Sequence, residues 1–580
     1  MFYAIWNILI LSVGCFVCTA AGAAVFRRLT GDEFLKKNFD RVETLCAEFL
    51  CGTGILGTAW LILAILPGGG WLGRLIVMLA CIVAVMLGGR SAAKDVNLAW
   101  RHIKIIVTHP YRESDISVKI LHWLILAGLA AMLVASFFPP DNYETAGKFL
   151  VAKTAACYGG ITGGAAGGVE LFAAGGMLAE MNIAALMLFG GAMAAGVVGF
   201  IYLLAGMMLA SGIGRRAGLN YLDRWLLVLV LTAWGVAVSR CGNFDAYASG
   251  GLVIVALVTL SVADGSRRGV HILAGLMIAW AIMMQYMQAV VILPATAAFA
   301  FSLFSRQRQN QANNADEANL QPTVMRRMGW LFSPVGAMLI LWLLKNIAVY
   351  GSLLPVQPDN PFNAATMLSV ATLPLMLLLV IFLRWSAGRK MWIGKIDCGR
   401  AISFLWQLLA FIIVWIGIGD MTSLNRNIFA AMNPSGEKGT DFICMNDNAD
   451  ATKDRVFTLS PYIYFMDERF LKSSAHRELL RELCDKDDTE KWRELWAKNF
   501  RLFYLTNENT VFSRDGKEFR FSVILDDGRV FTLDSAKLPP ELGLERLVVN
   551  GSGKSCTSCG YKLVIRENAI IPDGISTIEN

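Results

Sequence analysis

The chain has 580 residues, of which 55% are hydrophobic and only 17% are charged, and its mean hydropathy is +0.51. Soluble globular proteins carry about 25% charged residues, so this composition excludes that class and predicts a membrane protein with several spans. The net charge of +7 does not indicate nucleic-acid binding, because the Lys and Arg residues cluster beside apolar segments, where they determine topology.

Apolar windows recur along the first 420 residues. Residues 4–26 predict an uncleaved anchor, because the segment lacks a basic start and is long enough to stay in a bilayer. Windows of about 17–25 mainly apolar residues predict about twelve spanning helices in all. They lie near residues 4–26, 43–66, 71–88, 119–137, 182–210, 224–240, 248–263, 269–283, 287–304, 329–349, 365–384 and 403–420.

Basic clusters fall in every second loop between these windows. The pairs Arg27/Arg28, Arg215/Arg216 and Arg267/Arg268 are examples. Lys and Arg near the end of a span resist translocation, so we expect these loops on the cytoplasmic side. The same alternation predicts that the long loop 138–181 and everything after residue 420 lie on the opposite side.

The composition changes to that of a soluble domain after residue 420. Hydrophobic periodicity and helix-start signals predict strands at 455–459 and 500–505 and helices at 476–484 and 489–498. Residues 519–525 and 529–533 flank an Asp-Asp-Gly turn and predict a hairpin, and 546–549 and 561–565 predict two more strands. The sequence therefore divides into N-terminal spans with an amphipathic cytoplasmic stretch (1–118), a membrane core (119–420) and a small α/β domain (421–580).

Ionisable side chains gather at the outer ends of the predicted spans. The long loop contributes Asp141, Glu144, Glu170, Glu180, Lys148 and Lys153, and the edges of later spans contribute Asp245, Arg240 and Lys345. Charges at a bilayer boundary are costly when unpaired and are functional candidates by default. The alternative is that the loop acids are merely solvated and that the Lys345 side chain extends to the interface.

Such a set of acids and bases suits group transfer at a membrane surface. A carboxylate can remove a proton from an acceptor hydroxyl while cations hold the phosphate of a lipid-linked sugar. The same charges would also suit a transporter, in which they would line a path. The sequence shows no internal repeat of the kind that many transporters have.

Two cysteine pairs do not indicate metal chemistry. Cys15 and Cys18 lie within an apolar span, where packing is the simpler interpretation. Cys556 and Cys559 lie in the C-terminal domain, but a structural zinc site needs a second pair of ligands. We expect a disulfide or an incidental pair there.

Several patches together resemble bacterial GT-C glycosyltransferases, the superfamily of protein-mannosyltransferases and aminoarabinose transferases. They are Pro139-Pro140 with the acidic loop after it, Asn243-Phe244-Asp245, the apolar span that ends at Gln285-Tyr286, and Trp342-Leu343-Leu344-Lys345-Asn346. The residues 455–506 also resemble the outer C-terminal domain of these proteins.

The resemblance implies an α-helical polytopic GT-C-like protein in the bacterial cytoplasmic (inner) membrane, with an extracytoplasmic α/β domain. Its activity would be transfer of a sugar from a polyprenyl-phosphate donor to an acceptor glycan, lipid or protein. By resemblance, Asp141 or Glu144 would be the general base, and Asp245 would position the acceptor or the base. The donor would be bound by Lys345 with Lys148 or Lys153, and by Asn346, Gln285 and Tyr286. No metal ligand is predicted, and a divalent metal ion is left open as a cofactor.

Two departures from the family pattern favour an alternative. Asp141-Asn142-Tyr143-Glu144 lacks the Asp followed by Tyr-His that many relatives have, and Gln285 stands where a cation is often found. The alternative is a catalytically silent relative that acts as a binding or assembly component of envelope glycan synthesis. A transporter or flippase is a third hypothesis.

Overall fold

A computed structural model of the chain describes most of its helices and strands. The described residues are 2–66, 70–108, 116–137, 143–158, 160–161, 175–189, 192–219, 221–240, 245–262, 268–312, 324–350, 352–353, 371–372, 374–375, 392–393, 396–397, 408, 410–415, 439–450, 453–459, 463, 477–507, 509–513, 516–525, 528–552 and 555–566.

The first three long helices pack side by side. They are α1 (Phe2–Thr30), α3 (Arg41–Ile65) and α4 (Gly70–Thr108), with a short helix α2 (Asp32–Asn38) after the first. A Cβ atom on Gly22 would overlap the carbonyl oxygen of Glu48, and one on Gly52 would overlap that of Cys18. Small residues therefore allow the backbones of α1 and α3 to approach closely, as is common between helices in membranes.

Ion pairs join these helices at the end that the basic clusters predict to be cytoplasmic. The Arg27 guanidinium on α1 donates to Glu48 Oε1 of α3 at 3.2 Å and also pairs with Asp95 of α4. Glu48 is fully buried. We call this group the Arg27 clasp, because one cation holds carboxylates from two other long helices.

Five helices follow between residues 116 and 240. They are α5 (Ile116–Ser136), α6 (Tyr143–Tyr158), α7 (Leu178–Leu188), α8 (Ala192–Arg216) and α9 (Tyr221–Arg240). The loop predicted at 138–181 thus contains one complete helix, α6, and the first residues of α7. The α6 and α7 helices pack against each other. Part of the predicted loop is therefore helical, which its composition did not indicate.

The single span predicted at 182–210 is wrong, because the chain forms two helices there. Contacts with α1 fix the break between α7 and α8. Phe189 O, at the end of α7, accepts a hydrogen bond from Trp6 Nε1 at 3.1 Å, and Asn7 Oδ1 accepts one from Ala194 N at 3.2 Å. An apolar window cannot show such a break, because both helices are apolar.

Four more helices follow between residues 245 and 350. They are α10 (Asp245–Ser261), α11 (Arg268–Met284), α12 (Ala289–Ala312) and α13 (Val324–Tyr350). Most of the predicted spans 365–384 and 403–420 lies outside the described residues. The polar, low-complexity composition of residues 307–321 predicts a solvated cytoplasmic linker. This segment is described only as far as residue 312, where it continues α12.

Five described helices are long and apolar enough to cross a membrane. They cover Ile5–Thr30, Arg41–Ile65, Leu75–Arg101, Ala194–Arg216 and Val324–Tyr350. Five shorter apolar helices lie among them, within α5, α7, α10, α11 and α12. The molecule is therefore mostly helical, and its apolar helices indicate a membrane protein.

The C-terminal region contains small sheets and short helices. Its helices are α14 (Gly439–Asp447), α15 (Arg477–Cys484) and α16 (Asp488–Ala497). Its strands are β3 (Arg455–Phe457), β4 (Phe500–Thr506), β5 (Thr510–Phe512), β6 (Phe519–Ile524), β7 (Val530–Asp534), β8 (Leu542–Ser552) and β9 (Ser555–Ile565). A two-stranded sheet of β1 (Trp392–Ile393) and β2 (Ile396–Asp397) precedes them.

Two sheets of this region enclose an aromatic core. The first has the strand order β3-β4-β9-β8, in which only β3 and β4 are parallel, and the second has the antiparallel order β5-β6-β7. Phe457 lies in the core with its ring centre 5.3 Å from that of Phe503 and 5.4 Å from that of Phe521. The hairpin predicted around residues 526–528 is confirmed, and Gly528 has the positive φ of 82° that this turn needs.

Candidate active site

Four charged side chains meet where four helices end. They are Lys148 on α6, Glu180 in the first turn of α7, Asp245 at the start of α10 and Lys345 near the end of α13. We call them the charged cluster. Lys148, Asp245 and Lys345 all lie close enough to act electrostatically on Glu180. The cluster has two cations and two acids, so its formal charges balance.

Lys148 and Asp245 form a buried ion pair. Lys148 Nζ lies 3.0 Å from Asp245 Oδ1, and the two side chains are 15% and 1% exposed. Asp245 is the first residue of α10, where the backbone N–H groups and the helix dipole favour a negative charge. The ion pair and the helix terminus together explain how a carboxylate is accommodated with so little contact with solvent.

Glu180 is the acid of the cluster with an unused oxygen. Its side chain is buried, and Oε2 has no hydrogen-bond partner among the described residues. It occupies the first turn of α7, which again favours a carboxylate. A buried carboxylate oxygen without a partner is costly, so it is a candidate to bind a proton or a ligand group.

Lys345 is fully buried and is held by the backbone that precedes α7. Its Nζ donates a hydrogen bond to the Gly175 carbonyl at 2.6 Å. A Cβ on Gly175 would lie 3.3 Å from the Tyr286 ring, so this segment also contacts the turn after α11. Met177, at the start of α7, has the left-handed backbone φ of 65°, an unfavourable conformation that surrounding structure must stabilise.

A neutral polar group lies beside the cluster, between α10 and the turn after α11. Ser249 Oγ lies 2.8 Å from the Ala281 carbonyl and 2.9 Å from Gln288 Oε1, and Gln288 is fully buried. Gln285, three residues earlier, is also buried. The sequence analysis selected Gln285 and missed Ser249 and Gln288, although polar side chains in apolar segments were the available signal.

The structure joins some of the predicted site residues and leaves others apart. Asp141 lies outside the described residues, and Glu144 is placed only by its backbone, in the first turn of α6. Lys153 lies on α6 five residues after Lys148, which rotates it by about 140° around the helix axis. Asn346 is fully buried next to Lys345, and its Nδ2 donates to Leu353 O at 3.0 Å.

Glu180 was the one member of the cluster that the sequence analysis did not select as a site residue. It was interpreted as a loop acid, whereas the structure places it on a buried helix whose other residues are mostly apolar. A single acid just inside an apolar run was the signal that could have identified it, since such residues are functional candidates by default.

The donor atoms of the cluster do not fit a divalent metal ion. No group of three or more His, Cys, Asp and Glu side chains that could hold a metal occurs in the described part of the chain. Within the cluster, the ammonium group of Lys148 already lies 3.0 Å from Asp245 Oδ1. We therefore derive no chemical step through a metal.

The apolar helices and the buried charges together define a helical membrane protein with a polar site at the ends of its helices. Compared with models of known protein families, the chain matches none. The curated proteins likewise include no significant match.

Proposed function

We propose that the protein transfers a sugar from a polyprenyl-phosphate donor to an acceptor at the non-cytoplasmic face of a membrane. The proposed scaffold is GT-C-like, with about twelve spans, in the bacterial cytoplasmic membrane. The observation that carries the proposal is the charged cluster, in which two lysines and two carboxylates come from four helices. Glu180, Asp245 and Lys345 are buried, and the Lys148 side chain is 15% exposed. Buried charges of both signs, close to a lipid phase, suit a phosphate leaving group and a base.

Each side chain has a role in this reaction. Lys148 and Lys345 bind the donor phosphate and stabilise the charge that it gains. Asp245 positions Lys148 through their ion pair. Glu180 Oε2 takes the proton of the acceptor hydroxyl, whose oxygen attacks the sugar's anomeric carbon. The bond from that carbon to the phosphate oxygen breaks, and polyprenyl phosphate leaves with the electron pair.

The residues that the family resemblance selected remain alternatives for the base. Asp141 and Glu144 precede or begin α6, the helix that carries Lys148. A base at Glu144 would lie four residues, or about one helical turn, before Lys148. The experiments therefore include both residues beside Glu180.

Two observations support a site on the non-cytoplasmic side. Asp245 and Lys345 lie at the helix ends remote from the basic clusters, which mark the cytoplasmic side. Cys559 in the C-terminal region is disulfide-bonded, and disulfides persist in oxidising compartments outside the cytoplasm.

Binding of undecaprenyl phosphate to the purified full-length protein tests the phosphate site without knowledge of the sugar. We expect Lys345→Met to weaken binding at least tenfold, because a buried charge-assisted contact is lost. Lys498→Met, on the surface of the C-terminal region, is the matched control and should bind as the wild type does. Equal binding by the wild type, Lys345→Met and Lys148→Met would overturn the proposed donor site.

Transfer assays with a panel of undecaprenyl-phosphate sugars then test the base. Loss of a general base lowers kcat by about 10²–10⁴-fold, and we expect this for Glu180→Gln. Asp141→Asn and Glu144→Gln are measured in parallel. Wild-type turnover by all three variants would remove the proposed mechanism.

A silent relative that only binds lipid-linked sugars is the second candidate. It is favoured by the fact that Lys148 and Lys345 already have partners in Asp245 and the Gly175 carbonyl. That candidate predicts undecaprenyl-phosphate binding by the wild type with no transfer to any acceptor.

A further inference from the structure

An apolar cavity of about 290 Å³ lies among the helices on the other side of α7 from the charged cluster. Residues of α1, α3, α4, α7 and α8 line it. Nearly all of its wall is carbon, and Asn182, Thr53 and Tyr202 are among its few polar residues. The charged cluster and the cavity are thus separate, although α7 contributes to both.

The wall of the cavity reaches the outside of the helix bundle. Four of its lining residues are exposed apolar side chains, namely Trp6, Leu9 and Val13 on α1 and Phe189 at the end of α7. Trp6, Leu9 and Val13 lie on α1, which is long and apolar enough to cross a membrane, so in a bilayer these three side chains would face the hydrocarbon phase. A ligand that reaches the cavity past them would come from that phase.

One buried polar group in the wall lacks a hydrogen-bond partner among the described residues. It is Trp60 Nε1, whose side chain is 3% exposed. The indole N–H donates a hydrogen bond, and a buried donor without an acceptor is costly. An oxygen at or near the end of an apolar chain, as in an ester or an alcohol, would supply the acceptor.

The volume selects the size of the occupant. A dry apolar cavity of about 150 Å³ binds benzene. This cavity has roughly twice that volume, which is enough for part of one flexible hydrocarbon chain. Sites for drug-sized ligands start at about 300 Å³, and a two-chain lipid would not fit entirely.

We propose that this cavity binds one hydrocarbon chain of a membrane lipid, with an oxygen atom of that lipid accepting a hydrogen bond from Trp60 Nε1. The site goes beyond the proposed transfer reaction and does not require it. The chain can come from an acyl lipid or from a prenyl lipid, since both present flexible hydrocarbon beside an oxygen.

Photo-crosslinking of the full-length protein in phosphatidylcholine vesicles tests this site. One arm uses a phosphatidylcholine with a diazirine in its palmitoyl chain, and the other uses a diazirine-bearing geranylgeranyl phosphate. We expect at least one probe to attach to Tyr202, Trp60 or Phe49, which are buried and inaccessible to lipids at the protein surface. The arm that labels these residues identifies the source of the chain.

Variants that fill the cavity provide the matched comparison. Ala185→Phe on α7 and Ala80→Phe on α4 each add a bulky side chain to the wall of the cavity, and we expect each to reduce labelling of the buried residues at least fivefold. Ala127→Phe, on an exposed position of α5, should leave labelling unchanged.

Two outcomes would overturn the site. The first is equal labelling of the buried residues in Ala185→Phe, Ala80→Phe and Ala127→Phe. The second outcome concerns the wild type alone. It is that both probes attach only to surface residues such as Met86, which is 79% exposed.

Discussion

At the scale of single residues, each charge of the charged cluster must be stabilised by neighbouring protein groups, because little solvent reaches it. Asp245 is 1% exposed, so the Lys148 ammonium and the start of α10 together replace the solvent that its carboxylate lacks. Removal of one partner from a buried ion pair leaves an uncompensated charge, whereas removal of both leaves none. Stability measurements can therefore separate the structural role of this pair from its proposed catalytic role.

Asp245→Asn should destabilise the protein because it removes one carboxylate from the charged cluster and leaves an excess positive charge there. The expected cost is about 3–5 kcal/mol, seen as a lower Tm of the full-length protein in detergent. The double variant Lys148→Met/Asp245→Leu removes both charges and should regain most of the lost Tm. A double variant no more stable than Asp245→Asn would contradict this account.

Asp488 in α16 gives the C-terminal region a pH-dependent contact. Burial raises the pKa of Asp488, but hydrogen bonds and charges from Lys491 at 2.8 Å and Lys537 at 3.3 Å outweigh burial and lower it. A carboxyl with a lowered pKa stabilises the fold above its unfolded pKa of about 3.9, and this stabilisation is lost as the pH falls through the folded pKa.

Hydrogen exchange of the α16 peptides in the full-length protein measures this effect. We expect faster exchange in Asp488→Asn than in the wild type at pH 6. The difference should shrink as the pH falls below the unfolded pKa of about 3.9 and should disappear below the lower folded pKa. Asp485→Asn is the control, because Asp485 pairs with Arg529 at the surface, where ion pairs contribute little. A difference that grows as the pH falls would contradict the assignment.

At the scale of helices and strands, the sequence predicted those elements whose starts and turns are determined by neighbouring residues in the chain. The α16 helix begins after Asp487, whose carboxylate accepts a hydrogen bond from Thr489 N, as the acidic start of the predicted helix indicated. The pairing of the strands on either side of Gly528 could be predicted because Asp-Asp-Gly is a typical turn sequence. The break between α7 and α8 could not be predicted, because it depends on contacts with Trp6 and Asn7 far away in the chain.

The close approach of α1 and α3 predicts a large effect from a small substitution. Gly52→Ala would place a methyl group on the Cys18 carbonyl oxygen, and backbone cannot move aside as a flexible side chain can. We expect α1 and α3 to separate and the Tm of the full-length protein to fall by several degrees.

The matched control is Gly336→Ala on α13, where an added Cβ meets no atom within 4 Å. That substitution should leave the Tm unchanged or raise it slightly, because Ala is the better helix former. Equal melting of the two variants would show that the contact between α1 and α3 is looser than described.

At the scale of the whole molecule, the sequence predicted the class of protein but only part of its site. Composition alone indicated a membrane protein, and the soluble character of the C-terminal region was visible after residue 420. Asp245 and Lys345 could be selected because they are charges beside apolar runs. The partnership of Lys148 with Asp245, 97 residues apart, could not be predicted, since it follows from how α6 packs on the bundle.

The alternation of basic clusters predicts the sidedness of the whole chain. A fusion of alkaline phosphatase after residue 580 should be active in a bacterial host, and a fusion of green fluorescent protein at the same place should be dark. Fusions after residue 312, in the predicted cytoplasmic linker, serve as the control and should behave in the opposite way. Fluorescence from the C-terminal fusion would overturn the predicted orientation.

The Arg27 clasp has a mechanical consequence for the first three long helices. It fastens α1, α3 and α4 together through Arg27, Glu48 and Asp95, whereas Trp6, Trp60 and Val77 of the same helices surround the cavity nearer their other ends. Any separation of α1 from its neighbours near the cavity would have to break the hydrogen bonds that join Trp6 to Phe189 and Ala194 to Asn7. At the other end, Arg27 would still hold the three helices in register.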